Sequence, residues 1–217
     1  KNIYILLVKF FGRPPNSFDW EYIDKKDKYQ IKKDLSPEKF MKLVKNDLCD
    51  YVYLINDPRN EYGCNYSVEY LNNMEEGNKI KYLNVDMETM KNLVKKSIDK
   101  NEGVYFACDV GKYLLGKNNI MDPEIYKMNE ILDIDFDLTK KERLMYYDTQ
   151  PTHAMVITGY NKKEDKINRW QIENSWGEET TNIENAKKES TNEYKGYYSM
   201  TDKWMDEYVF EVGINKK

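Results

Sequence analysis

Thr152-His153-Ala154-Met155 and the later Glu173-Asn174-Ser175-Trp176-Gly177 decide how the chain is read. Residues from His153 to Tyr160 form a β-rich run. Residues 168–174 alternate in polarity, which puts Trp170, Ile172 and Asn174 on one strand face. Two neighbouring strands would bring an imidazole and a carboxamide to the same end of a sheet. That pairing has a chemical logic. A thiol becomes a strong nucleophile when a nearby imidazole takes its proton. The imidazole must be held in one orientation and tautomer, and an Asn oxygen can do this by accepting from its other nitrogen. Trp176 is placed to lay an apolar ring over that hydrogen bond and exclude water, and Gly177 permits a tight turn away. Each half of the pattern is modest alone. A lone His at a strand start is more often structural, and Asn-Ser-Trp-Gly can be an ordinary turn. His153 is also the single histidine of the chain, so any imidazole chemistry here must use it.

Outward from this pair the chain reads as α+β. On the C-terminal side, residues 197–200 and 208–214 are further strands, and the polar stretch 180–195 reads as a solvent loop. On the N-terminal side, Thr139-Lys140-Lys141-Glu142 is a capping-box pattern opening a short helix through Tyr147. Val104 to Val110 is a strand leading into Gly111. Asp86 caps a helix with Met90, Leu93, Val94 and Ile98 in one stripe, a packing face rather than a cofactor site. Tyr51 to Ile55 is a strand stopped by Asn56-Asp57-Pro58. Ser36-Pro37-Glu38 starts a helix carrying Phe40, Leu43, Val44 and Leu48. Phe18-Asp19-Trp20-Glu21-Tyr22 is an aromatic patch in a charged loop, preceded by the breakers Gly12-Arg13-Pro14-Pro15. The apolar stretch Ile3 to Phe11 opens the chain as if already inside a fold, without a signal-peptide pattern. Residues 1–100 are therefore expected to be mixed and helix-bearing. Residues 101–217 are expected to form a β-rich half, a small antiparallel sheet or barrel carrying His153 and Asn174.

Composition narrows the function classes. The 217 residues hold 40% hydrophobic and 14% aromatic residues, which argues against disorder. The 34 basic and 38 acidic residues give a net charge of −4. They are interleaved, as in Asp24-Lys25-Lys26-Asp27-Lys28, which reads as solvated surface and argues against a nucleic-acid binder. No apolar run approaches the roughly 20 residues that span a bilayer. Cys49, Cys64 and Cys108 are three in number, widely spaced and without a CxxC. They imply neither a disulfide framework nor a zinc site, and fit reduced, buried thiols in a cytoplasmic protein.

The strings around these features resemble one branch of the papain-like cysteine proteases, the bleomycin hydrolase or aminopeptidase C family. They are Phe11-Gly12-Arg13-Pro14-Pro15, the Phe18–Tyr22 patch, Asn56-Asp57-Pro58-Arg59, Val68-Glu69-Tyr70-Leu71, Ala107-Cys108-Asp109-Val110-Gly111-Lys112, the His153 and Asn174 segments, Lys195-Gly196-Tyr197-Tyr198, Met200-Thr201-Asp202-Lys203-Trp204 and Asp206-Glu207-Tyr208. They follow the family's order nearly end to end and match its C-terminal half. By this resemblance His153 is the catalytic His, Asn174 its orienting Asn and Trp176 the shielding Trp. The resemblance implies a peptide or amide hydrolase acting from the amino end through a thioester. It implies no cofactor and no metal, a homohexamer and a cytoplasmic location.

None of the three cysteines has the nucleophile context of such enzymes. The nucleophilic Cys and the oxyanion-hole Gln of the family lie in its N-terminal half, so this chain is expected to be inactive alone and to need that half as a partner. The family's C-terminal arm is expected to be missing beyond Lys217. Pro151 stands where the family usually has Met, and 180–195 is an insertion. Two other readings stay open: a non-catalytic module serving hexamer assembly or binding, with the aromatic patch as an anchor or as core packing, and a nucleophilic role for Cys64 or Cys108 toward His153.

Overall fold

Alternation from Asn168 to Glu173 builds the strand on which the sheet is organised. Trp170 and Ile172 are fully buried, while Arg169, Gln171 and Glu173 are exposed. The computed structural model describes residues 2–43, 50–71, 77, 79–133, 138–177 and 196–217. Within these, contacts group the chain into two compact units, Lys1–Leu48 and Cys49–Lys217.

The second unit contains a ten-stranded sheet. Its strands are β3 (Tyr51–Ile55), β4 (Asn65–Tyr66), β5 (Tyr82–Asn84), β6 (Val104–Cys108), β7 (Leu114–Leu115), β8 (Ile120–Met121), β9 (His153–Lys163), β10 (Lys166–Glu173), β11 (Tyr197–Thr201) and β12 (Val209–Asn215). Their order is β4-β5-β3-β12-β6-β9-β10-β11-β8-β7. The β3–β5 and β8–β11 pairs are parallel and the others antiparallel. The expected α+β fold is therefore present. The sheet is larger than the second half of the chain alone suggests, because β3 and β5 from before residue 100 pair into it through β12.

Two helices cover this core. In α3 (Met87–Asp99), Asp86 accepts from the Thr89 amide at 2.7 Å, as a cap should, and Met90 and Val94 are fully buried. The helix packs on β6, β9 and β12. The other is α6 (Asp202–Tyr208), where the sequence suggests only a link between strands. Thr201 caps it by accepting from the Trp204 amide at 3.2 Å, so the last strand starts at Val209. Trp204 is fully buried, and its indole N–H donates to the Lys112 carbonyl at 2.8 Å. Lys91 of α3 joins the two helices by pairing with Asp202 and Asp206, each at 2.8 Å.

Two shorter helices, α4 (Met128–Leu132) and α5 (Lys140–Met145), lie before β9. The capping box of α5 forms as expected, with Thr139 N–H donating to Glu142 Oε2 at 2.8 Å. The helix ends at Met145, two residues short of the expected end. Its first residue, Lys140, is buried. The Nζ donates to Asn56 Oδ1 at 2.7 Å and to the Val209 carbonyl at 2.6 Å. Burial pushes this ammonium down to about 7.

The first unit holds α1 (Asn2–Phe11), β1 (Phe18–Ile23), β2 (Tyr29–Leu35) and α2 (Pro37–Leu43). The Phe18–Tyr22 patch is a strand, not a charged loop: β1 and β2 form an antiparallel hairpin, and Asp24 holds its turn through the amides of Lys26 and Lys28. Alternation puts Phe18, Trp20 and Tyr22 on one face, where Trp20 stacks on Tyr22 at 4.3 Å and Phe40 of α2 meets Phe18 and Trp20 edge-on at 5.4 and 5.0 Å. Ser36 caps α2 as expected, but Val44, Leu48 and Cys49 lie outside the described residues, as does the 180–195 stretch.

Candidate active site

The antiparallel β6–β9 pair sets His153 opposite Cys108, and the β9–β10 pair continues the same surface. A bulge in that second pairing, between Gln171 and Ile172, shifts the register by one residue on β9. His153 at the start of β9 and Asn174 just past the end of β10 thereby share one end of the sheet. The His153 Nε2 lies 3.0 Å from Asn174 Oδ1. A carboxamide oxygen only accepts, so this contact is a hydrogen bond when Nε2 carries the proton. In the neutral ring Nδ1 is then the free base.

Asn174 is buried, 8% exposed, and its backbone N–H donates to the Gly196 carbonyl at 3.2 Å. Its Nδ2 has no hydrogen-bond partner among the described residues. The nearby Tyr198 phenol is raised by burial, with the Asn174 amide acting in the opposite direction. The Trp176 ring sits 4.8 Å from the imidazole at 32°, and Tyr198 meets Trp176 edge-on at 6.3 Å. Gly177 follows at φ +85°, the left-handed conformation a tight turn needs. The three site residues expected from sequence, His153, Asn174 and Trp176, are thus brought together.

The cysteines behave differently. Cys108 is the register partner of His153, but it is fully buried, and burial together with the Asp109 carboxylate pushes its thiol far above the ordinary range. A nucleophilic thiol needs the opposite shift. Cys64 lies beside β4, near the other edge of the sheet from the β9–β10 pair. Sequence reading missed the polar residues behind β9. Asp109 is 7% exposed and Thr149 3% exposed; Thr149 Oγ1 donates to Asp109 Oδ2 at 2.8 Å and Thr152 Oγ1 to Asp109 Oδ1 at 3.3 Å. No local pattern announces a contact across forty residues.

Two clefts among the described residues lie elsewhere. One, of about 370 Å³, is lined by residues including Asn119, Tyr160, Arg169 and Tyr197. The other, of about 790 Å³, is lined by residues including Tyr113, Tyr126, Arg143 and Tyr208. Neither includes His153, which is half-buried beside the exposed Trp176. Among the described residues, no cluster of His, Cys, Asp and Glu could hold a metal ion, and no helix is long and apolar enough to cross a membrane.

Known proteins are similar to this chain in sequence and in fold. Aminopeptidase C of Listeria innocua serovar 6a is 39% identical over 218 residues, covering 99% of this chain and 47% of that protein. Bleomycin hydrolase of Gallus gallus is 38% identical over 226 residues, covering 100% of this chain and again 47% of the relative. The crystal structure of PepW from Lactobacillus rhamnosis HN001 superposes with a TM-score of 0.86 at 38% identity, over 99% of this chain and 46% of that one. The chain spans about half the length of the relatives it matches. The fold is accordingly papain-like. Since the Peptidase C1-like family matches residues 1–217 throughout, and the His–Asn pair sits on the sheet that this fold shares, the chain belongs to that peptidase family.

Proposed function

We propose that this chain supplies the base side of a cysteine-type aminopeptidase active site. The observation that carries the reading is the 3.0 Å contact between His153 Nε2 and Asn174 Oδ1, with Trp176 beside the ring and Nδ1 left free. The burial of Cys108 supports a nucleophile supplied by a segment outside these residues, together with an oxyanion-hole Gln. The relatives of twice this length are consistent with such a segment.

In this scheme His153 Nδ1 takes the thiol proton, and the thiolate attacks the carbonyl carbon of the N-terminal residue's peptide bond. As the C–N bond breaks, the imidazolium gives its proton to the leaving amine and a thioester remains. Nδ1 next takes a proton from water. The hydroxide adds to the thioester carbonyl, the C–S bond breaks, and the imidazolium returns its proton to the departing thiolate, which restores the free thiol and the neutral ring. Throughout, Asn174 keeps the ring turned with Nε2 away from the reaction and stabilises the imidazolium. Preference for the amino end rests on the names of the relatives, Aminopeptidase C and Bleomycin hydrolase. The protein acts as a homohexamer in the cytoplasm, and the 217-residue chain alone is inactive.

One observation favours a second reading, a module for assembly or binding: the exposed apolar helix α1, none of whose residues is buried. The two readings separate in the full-length protein. Removal of single amino-terminal residues from a fluorogenic amide is measured for the wild type and for His153→Ala. Loss of at least about a thousandfold in kcat/KM with the fold kept supports the hydrolase. Activity that survives the substitution, or a full-length protein without a reactive thiol, leaves the assembly reading.

A further inference from the structure

Buried Asp109 anchors a small network whose other members, buried Thr149 and exposed Thr152, flank the turn into His153. It follows β6 directly, and its own N–H donates to the Tyr208 carbonyl at the end of α6 at 3.1 Å. Its carboxylate accepts from two hydroxyls, Thr149 at 2.8 Å on one oxygen and Thr152 at 3.3 Å on the other. The Thr152 N–H completes the frame by donating to the Cys108 carbonyl at 2.9 Å. The segment Thr149-Gln150-Pro151-Thr152 is thus pinned at both ends to one carboxylate. Lys112, the nearest cation in sequence, pairs with Asp148 at 3.0 Å instead. A nearly buried carboxylate whose side-chain partners among the described residues are two hydroxyls costs folding free energy through desolvation. The geometry accounts for its presence here: the next residue after the pinned turn is His153, and the hydrogen bond from its ring to Asn174 tolerates little displacement.

We infer that Asp109 is a positioning residue, a clamp on Thr149 and Thr152 that fixes the backbone from which the His153 ring reaches Asn174. This rests on the catalytic reading of His153 given above. Pro151 sharpens the argument. It has no N–H to donate within the turn, so the hydroxyls on either side of it are left to hold the segment.

The chain's single histidine makes the ring directly observable. With ¹⁵N-labelled histidine, the wild-type chain should show an Nε2-protonated imidazole whose proton exchanges slowly. Asp109→Ala should speed that exchange at least about tenfold, and Asp109→Asn should restore it, because a carboxamide of the same shape still meets both hydroxyls, which can turn to accept. Thr152→Val, at an exposed residue, should act in the same direction as Asp109→Ala and decides the matter if Asp109→Ala does not fold. In the full-length enzyme Asp109→Ala and Thr152→Val should lower kcat about ten- to a hundredfold with KM changed less than threefold, while Asp109→Asn should stay near the wild type. The clamp is overturned if Asp109→Ala or Thr152→Val folds with wild-type Nε2–H exchange, or if Asp109→Asn behaves like Asp109→Ala. Because the ring signal is read without turnover, hydrolysis that survives His153→Ala would refute the catalytic reading while leaving the clamp's own result standing.

Discussion

The unit Cys49–Lys217 buries Trp170, Trp204, Phe106, Ile157 and Ile172 to 1% exposure or less, whereas among the described residues of Lys1–Leu48 the one hydrophobic residue counted in the core is Leu35. The contrast is not one of composition. Helix α1 alone carries Ile3, Tyr4, Ile5, Leu6, Leu7, Phe10 and Phe11, all exposed by between 45% and 83%. A hydrophobic sequence becomes a core only where the topology gives it something to pack on. In the larger unit, two helices and ten strands do so, and the His153–Asn174 pair stands at the end of two strands whose inward residues are locked. Catalytic geometry of a few tenths of an ångström is kept best on such elements.

The largest effect expected from this contrast is on folding. Trp204→Ala should destabilise the larger unit by about 3–5 kcal/mol, since it removes a fully buried indole and leaves the Lys112 carbonyl without its donor. Urea unfolding followed by fluorescence of the remaining tryptophans measures it. A cost under about 1 kcal/mol would mean that the core of Cys49–Lys217 is no better packed than the other unit.

A second prediction uses the buried Lys140. Its ordinary value is 10.5 and burial brings it to about 7. Between those values the unfolded chain holds a proton that the folded chain has released. Stability therefore rises with pH through this window, by up to about 1.4 kcal/mol per unit, and the contribution is lost as pH falls to 7. The raised carboxyls of Asp206 and Glu211 act in the acid range instead, and the raised phenols of Tyr82 and Tyr208 act above pH 10. Unfolding midpoints measured from pH 6.5 to 8.5, below the ordinary 9.0 of the buried Cys108 thiol whose raised value opposes the trend at higher pH, should rise in the wild type and stay flat in Lys140→Met.

The site itself gives a third, of intermediate size. Asn174→Ala leaves the imidazole on its strand but frees its rotation and tautomer. In the full-length enzyme kcat/KM should fall about ten- to a hundredfold, or about 1.4–2.7 kcal/mol, with unfolding hardly changed. An equal loss in stability would place Asn174 in the fold rather than in the chemistry.

These elements were legible in the sequence to different degrees, for physical reasons. Helix α3 carries a cap, an apolar stripe and ordinary length, so its start at Met87 and its buried Met90 and Val94 follow from local rules. The α5 capping box, the alternation of β10 and the motif around Asn174 are equally local. Helix α1 has neither an N-cap pattern nor an acid in its first turn, and its apolar residues run all round it, so no period marked it as a helix. Helix α6 is seven residues wedged between two strands, and its last residue, Tyr208, reads as the start of the final strand until Thr201 is recognised as a cap. The alternation of β1 was present in Phe18, Trp20 and Tyr22 but hidden by the charged turn beside it. For the site, residue types gave His153, Asn174 and Trp176. The bulge between Gln171 and Ile172 that brings them together, and the Asp109 clamp behind them, depend on pairing across the fold.

The smallest expected effect tests the first unit. Phe10 of α1 is 76% exposed, so Phe10→Lys should change the stability of the 217-residue chain by no more than about 0.5 kcal/mol. The same substitution should nonetheless change its behaviour in solution. Seven exposed apolar side chains on ten residues form a surface that water-soluble monomers rarely present. The wild-type chain is therefore expected to self-associate, and a charge on that surface should weaken the association, as sedimentation velocity over a range of concentrations would show. The two measurements answer different questions. A loss of 2 kcal/mol or more on unfolding would show that Phe10 is buried in solution, and the contrast between the units would fail. A monodisperse wild-type monomer with Phe10→Lys unchanged would show that the helix tolerates exposure, and the assembly reading would lose the observation that favours it.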